Sequence, residues 1–174
     1  LLNSDKLYAS ANLFFAGANA ISSLLIVKFF GLRLYGFMTY FNSIDTFIDY
    51  LGGHVRSTFE YTSASSNNQQ KIIKSFAILQ LFLGLISVFV FLFLSFFQSD
   101  SEAMKICQIF IFLSPGKSYL SFFRILSKVS GSLKGYSIIV ILLSVLNIIF
   151  LLISNLYYDF YIFLIFRAFL LLSF

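Results

Sequence analysis

The 174-residue chain holds one cysteine, one histidine and one proline. A lone Cys107 and a lone His54 cannot build an intrachain disulfide framework or a zinc site of cysteine and histidine ligands. Cys107 sits in an apolar run and is expected to be an ordinary buried thiol. A single histidine also excludes the two-histidine zinc helix of metalloproteases. Charge is equally scarce: 11% of residues are Asp, Glu, Lys or Arg, against roughly 25% in a soluble domain. The net charge of +5 and pI near 9.4 would suit a nucleic acid, but the basic residues are scattered between apolar segments instead of sharing one face, so no nucleic-acid partner is expected.

What the chain has instead is uninterrupted hydrophobicity, with 59% hydrophobic residues and a mean hydropathy of +0.92. No Asp, Glu, Lys, Arg or His occurs in the 25 residues between Lys74 and Asp100, nor in the 24 between Lys134 and Asp159. Either stretch can cross a bilayer, which takes about 20 apolar residues in a helix. The first apolar run, Leu13 to Phe30, is too long for a signal peptide and lacks a small-residue cleavage site, so it reads as a first transmembrane helix. Because a nucleotide-biased genome would also enrich phenylalanine, the 25 phenylalanines are not read as a cofactor box. The opening at Leu1 and the stop at Phe174 inside an apolar run suggest a piece of something longer.

Six segments can be marked: 11–30, 36–55, 75–97, 103–123, 136–156 and 160–174. With one proline and no alternating strand pattern these are helices, since lipid demands that each segment satisfy its own backbone. The expected fold class is all-α, a polytopic transmembrane helix bundle of five complete helices plus a truncated sixth. An inward amino terminus places Lys6, Arg56, Lys71, Lys74, Arg124, Lys128 and Lys134 on the cytoplasmic side and Lys28, Arg33 and Lys105 outside, which fits the positive-inside rule. The polar stretch Thr62 to Lys74 reads as a cytoplasmic loop.

Polar groups inside such segments are costly and point to function. In the second segment Asn42, Asp45, Thr46, Asp49, Gly53 and Arg56 recur at three- and four-residue steps, opposite Phe37, Tyr40, Ile44, Phe47, Leu51 and Val55. An unpaired Asp45 near mid-segment would cost about 3 kcal/mol. Asp45 and Asp49 lie one turn apart, so repulsion would raise one pKa and suit proton or cation coupling. The alternative is that they pair with basic residues of a neighbouring helix and serve packing.

In the fourth segment Lys117, Ser121, Arg124 and Lys128 form a stripe running from mid-membrane to the cytoplasmic end, just after Pro115 and Gly116, which loosen the helix. A polyanion would find a ladder there; the alternative is that Arg124 and Lys128 snorkel to lipid headgroups. Arg167 in the sixth segment is embedded in the same way. Asn12, Ala16, Asn19 and Ser23 share a face of the first segment, as do Ser137, Ser144, Asn147 and Ser154 of the fifth, and such faces more often mediate helix contact than ligand binding. Gly116, Lys117 and Ser118 resemble the end of a phosphate-binding loop, but Ile111 stands where the first glycine is required. No extramembrane acid or base cluster exists to hold a soluble substrate, so an enzyme is not expected and no cofactor is implied.

The order of FFGLRLYGFMTYFNSI, LGGHVRSTFEYTSA, a polar inner loop, a very apolar third helix and FFRILSKVSGSLKGYSIIVILLSVLNIIFLL resembles the amino-terminal half of the polysaccharide exporters. These are the lipid-linked O-antigen and oligosaccharide flippases of the multidrug, oligosaccharidyl-lipid and polysaccharide exporter superfamily. The resemblance implies one lobe of a two-lobe transporter in the cell inner membrane. It implies movement of an undecaprenyl-diphosphate-linked oligosaccharide by alternating access, with Lys117, Arg124, Arg167 and Asn42 facing substrate and Asp45 and Asp49 handling the coupling ion. Implied partners are the lipid-linked oligosaccharide, membrane lipids, and polysaccharide polymerase with other surface-glycan assembly proteins. A multidrug or small-cation exporter of the same superfamily and a non-transporting membrane scaffold subunit are the competing expectations.

Overall fold

The structure is a computed structural model that describes residues 4–53, 56–59 and 69–172. The described residues are helical almost throughout, in the order α1 (Ser4–Phe30), α2 (Leu32–Leu51), α3 (Gln69–Phe97), α4 (Ser101–Val129), α5 (Leu133–Leu156) and α6 (Phe160–Leu172). Residues 56–59 form one further short helical stretch, so the described residues hold one more helix than the six segments anticipate. His54, Val55, most of the polar stretch Thr62 to Lys74 and the last two residues lie outside the described residues.

The connections are short and chemically defined. Gly31 alone separates α1 from α2, at φ 87° and ψ 167°, a backbone region open essentially only to glycine. Asp100 caps α4 by accepting from the backbone N–H groups of Glu102 at 2.9 Å and Ala103 at 3.2 Å, which satisfies two otherwise orphaned donors. At the far end of α4 the chain turns through Gly131 at φ 72°. Asp159 opens α6 by accepting from Tyr161 N–H at 2.8 Å.

α4 is the central element, packing on α3, α6, α2 and α5, while α1 lies mainly along α5. It runs from Ser101 through Val129 with Pro115 inside it, so the proline does not end the helix. Around it the two adjoining helices come close. A Cβ at Gly116 would lie 2.7 Å from Leu171 Cβ, and one at Gly84 would lie 3.9 Å from Pro115 Cβ. The main core is aromatic, with Phe41, Phe91 and Phe110 in mutual contact at centroid distances of 5.3–6.3 Å. A second, smaller core joins Phe59, Phe76 and Ile125, with the rings of Phe59 and Phe76 stacked at 4.0 Å.

The outer surface is apolar, and polar side chains are buried beside the hydrophobic core. Leu13, Ile78, Phe89 and Phe96 are 68–84% exposed, whereas Asp45, Gln80, Ser87, Ser114, Ser137, Ser144 and Ser154 are buried. Four helices, α1 (Asp5–Phe30), α3 (Lys71–Phe97), α4 and α5, are long and apolar enough to cross a membrane. α2 is not among them because its polar side interrupts the apolar run, and α6 covers 13 residues, about 20 Å of helix. The face of α1 in closest contact is also not the anticipated one. Ala11, Ala18 and Ser22 are buried and Ala16, Gly17 and Ala20 are exposed, while Asn12, Asn19 and Ser23 are half-buried.

Candidate functional site: an ion-pair cluster between α2 and α4

α2 and α4 each bring polar side chains at a three-residue step to the same place. On α2 these are Asn42 and Asp45; on α4 they are Ser114 and Lys117. The Lys117 ammonium donates to Asn42 Oδ1 at 2.6 Å and to Asp45 Oδ2 at 2.8 Å. Ser114 Oγ donates to the other carboxylate oxygen of Asp45. Lys117 Nζ also stands 5.2 Å from the centre of the Phe110 ring, a position that favours a cation. Both oxygens of a buried carboxylate and two of the three ammonium hydrogens are therefore used, which is what makes a buried pair tolerable in an apolar setting.

One turn further along α2, Asp49 is held by Arg56. Arg56 Nη1 donates to Asp49 Oδ2 at 2.8 Å and Nη2 donates to Oδ1, a bidentate arrangement. Gly52 permits the crowding of this corner, since a Cβ there would lie 2.6 Å from Leu83 Cδ1. Arg56 Nε is buried with no hydrogen-bond partner.

The anticipated repulsion between Asp45 and Asp49 is thus offset by geometry: each carboxylate has its own cation, one from α4 and one from the residues just past α2. Asp45 follows the alternative reading, pairing with a neighbouring helix, and still borders open space. A cavity of about 120 Å³ is lined by Asp45, Thr46, Asp49, Ser87, Lys117 and Ser118. A second cavity of about 130 Å³ lies on the other side of Lys117, lined by Asn19, Ser144, Asn147 and Arg167 together with apolar residues of α1, α4, α5 and α6. Lys117 belongs to both, and α6 delivers Arg167 to the second.

Arg124 is not brought to the cluster. It lies seven residues beyond Lys117, about 10 Å along the helix, and its Nε donates to Tyr8 Oη of α1 at 2.9 Å. The guanidinium also sits over the Tyr8 ring at 5.9 Å. Two neighbours of the cluster, Ser114 and Gln80, lie outside the stripes marked in the sequence. Ser114 is one further step up the Lys117–Ser121–Arg124 stripe and could have been found by extending it. Gln80 is buried in α3 and accepts from Ser118 Oγ at 3.0 Å, leaving its Nε2 without a partner; its signal was to be the amide in the middle of an otherwise apolar helix.

At the opposite end of α2 a separate ionic contact ties that helix to the α3–α4 turn. Arg33 Nη2 lies 2.5 Å from Asp100 Oδ2, and Arg33 Nε lies 3.4 Å from Glu102. The hydrogen bond from Arg33, then that from the Ala103 backbone, holds the Asp100 carboxyl below its ordinary value, and the same bond raises Arg33.

Among the described residues no three His, Cys, Asp or Glu side chains come together as a metal site. What the α2–α4 cluster offers is a carboxylate and an ammonium at one small cavity, with the ammonium also bordering a second that α6 supplies with the Arg167 guanidinium. In comparisons with known proteins the chain matches no protein-family model, no curated protein and no solved structure.

Proposed function

We propose that this chain is a membrane-embedded lobe of an exporter that flips an undecaprenyl-diphosphate-linked oligosaccharide, the repeat unit of an O-antigen or other surface polysaccharide, across the cell inner membrane by alternating access. The observation that carries this reading is the Lys117–Asp45 pair, in which both side chains border one cavity and Lys117 also borders a second, in a bundle whose outside is apolar and whose hydrophobic interior holds a buried polar cluster. A structural ion pair needs no cavity on either side of it. A transport site needs both, because its charges must trade partners as access alternates.

In this reading Lys117, Asn42 and Arg167 meet the phosphates or acidic sugars of the substrate. Arg124 does so nearer the inner end, after leaving Tyr8. Asp45 and Asp49 take up the coupling ion when their cations are drawn away. The amino terminus lies in the cytoplasm, and membrane lipids and the polymerase with other glycan-assembly proteins are its surroundings and partners. The four helices of spanning length and composition support a multi-pass arrangement. The polysaccharide-exporter resemblance supports the substrate class.

One specific observation favours a second reading. Asp45 with Lys117 and Asp49 with Arg56 are closed pairs, as expected for a non-transporting scaffold subunit whose charges serve packing. Arg167, which belongs to neither pair and lines a cavity beside Lys117, weighs against it. Asp45→Asn and Lys117→Ala in the full-length protein separate the two. In cells that build a surface polysaccharide, the exporter reading expects lipid-linked glycan to accumulate on the inner leaflet and surface polymer to fall. Unchanged surface polymer in both variants, with normal protein levels, removes these side chains from transport and leaves the scaffold.

A further inference from the structure

The charges inside the bundle do not balance around Lys117. Asp49 and Arg56 cancel within their own bidentate pair. Asp45 is engaged on both oxygens, by Lys117 and by Ser114. That leaves Arg167 of α6, which makes no hydrogen bond or ion pair among the described residues and yet lines the cavity of about 130 Å³ that Lys117 also borders. An embedded cation with no counter-charge is expensive, and an arginine fork is the side chain best matched to a planar or tetrahedral oxyanion.

Apolar side chains of Phe15, Leu120, Leu143, Leu170 and Leu171 make up much of the wall, and the remaining polar groups are mostly donors. Asn19 and Asn147 are amides with N–H donors, and Asn147 commits only one of its two, to Ser22 Oγ at 3.2 Å. Ser144 adds a hydroxyl, although its own proton goes to Val140 O at 2.7 Å. Among the described residues no carboxylate lines this cavity. Its volume equals that of about four water molecules in the liquid. That admits one phosphate-sized group and is too small for an oligosaccharide.

We infer that the cavity between α1, α4, α5 and α6 is a binding site for a single phosphate-type oxyanion, held chiefly by Arg167 and secondarily by Lys117 and the two asparagine amides. The anion is the missing counter-charge. Its chemistry is shared by free inorganic phosphate and by the phosphate of an anionic lipid headgroup. Because Lys117 stands between this cavity and Asp45, an anion here competes with Asp45 for the same ammonium. Filling the site loosens the α2–α4 pair, and emptying it tightens the pair. The inference holds for any cargo and does not require that the chain carry a glycan.

The test uses the whole 174-residue chain in nanodiscs of phosphatidylcholine. Inorganic phosphate is titrated against gluconate at matched ionic strength, and binding is followed by calorimetry and by thermal unfolding. A parallel set of nanodiscs contains phosphatidylglycerol without added phosphate. Expected is saturable phosphate binding that weakens by about tenfold or more in Arg167→Gln, the loss of one charge-assisted pair of hydrogen bonds. Arg167→Lys should restore part of it, and Asn147→Leu should weaken binding while leaving every charge in place. Arg33→Gln, at the far end of α2, should leave the phosphate affinity unchanged.

Phosphatidylglycerol-dependent stabilisation that needs Arg167, without an effect of free phosphate, assigns the site to a lipid headgroup. Binding that is equal in wild type and Arg167→Gln, or absent in both lipid compositions, overturns the inference. If Arg167→Gln does not fold, Asn147→Leu and Arg167→Lys decide alone, with unchanged affinity in both counting against the site. None of these readouts involves glycan export, so failure of the exporter reading and failure of this one are seen separately.

Discussion

Lys117 of α4 and Asp45 of α2, 72 residues apart in the chain, meet at 2.8 Å, and Ser114 closes the carboxylate from its other side. Removing one member of such a pair leaves a buried charge without compensation, which costs about 3 kcal/mol or more. Lys117→Met should therefore destabilise strongly, and Asp45→Asn in the same chain should recover most of the loss. A double-mutant cycle on unfolding in detergent measures this. A coupling energy below about 0.5 kcal/mol would mean that the two side chains do not hold one another.

The two glycines beside Pro115 should respond in opposite directions to the same change. Gly116→Ala sets a methyl group 2.7 Å from Leu171 Cβ and 3.2 Å from its carbonyl carbon, so α6 must shift, at roughly 1–3 kcal/mol. Gly84→Ala meets nothing closer than 3.9 Å and should gain about 0.5–1 kcal/mol from helix propensity. Thermal midpoints of the two variants give the comparison. Equal shifts would contradict the close approach of α6 to α4.

The contact of Arg33 with Asp100 predicts a pH dependence of definite sign. Asp100 is held below its ordinary value of 3.8, first by its hydrogen bond from Arg33. A carboxylate depressed in the folded state contributes stability that is fully present above its unfolded pKa and is lost as pH falls through the folded value. The midpoint difference between wild type and Arg33→Gln should be constant from neutral pH down to about 5 and shrink below 4. Since both groups are exposed, salt should shrink it too. A difference that grows on acidification would refute the contact.

Water access to α2 can be read with single thiols. Cys107 is fully buried and lies 3.4 Å from Phe91 O; Cys107→Ser keeps that hydrogen bond and provides a background without cysteine. In it, Thr46→Cys on the cavity side of α2 should react with a water-soluble maleimide about tenfold or more faster than Phe89→Cys on the exposed apolar side of α3, because only a hydrated thiol ionises. Equal rates would place both positions in one environment.

Much of the helical layout was legible because long apolar runs leave little choice, but the ends were not. Reading hydropathy alone closes the fourth segment at Phe123, whereas α4 continues to Val129, since the backbone ladder is indifferent to the charge of Arg124 and Lys128. For the same reason α1 begins at Ser4 instead of Ala11. The polar side of α2 was visible as a three- and four-residue rhythm, and so was the stripe on α4. Which carboxylate meets which cation was not, because pairs separated by dozens of residues leave no local pattern. Asp45 with Asp49 looked like a repelling couple only while Lys117 and Arg56 had no positions in space. Arg124 looked like the next rung of a ladder until Tyr8 claimed it from α1. Gln80 stood out as a lone amide among apolar neighbours, but its Ser118 partner left no local pattern.

Gly31 joins two helices with nothing else between them, and its backbone angles are closed to other residues. The tilt of α2 against α1 is therefore governed by the two torsions of one residue, with no slack to absorb a change. If α2 swings away from α4 when its ionic tethers let go, Gly31 is the pivot. Any side chain at that position should jam the swing without touching a single charge.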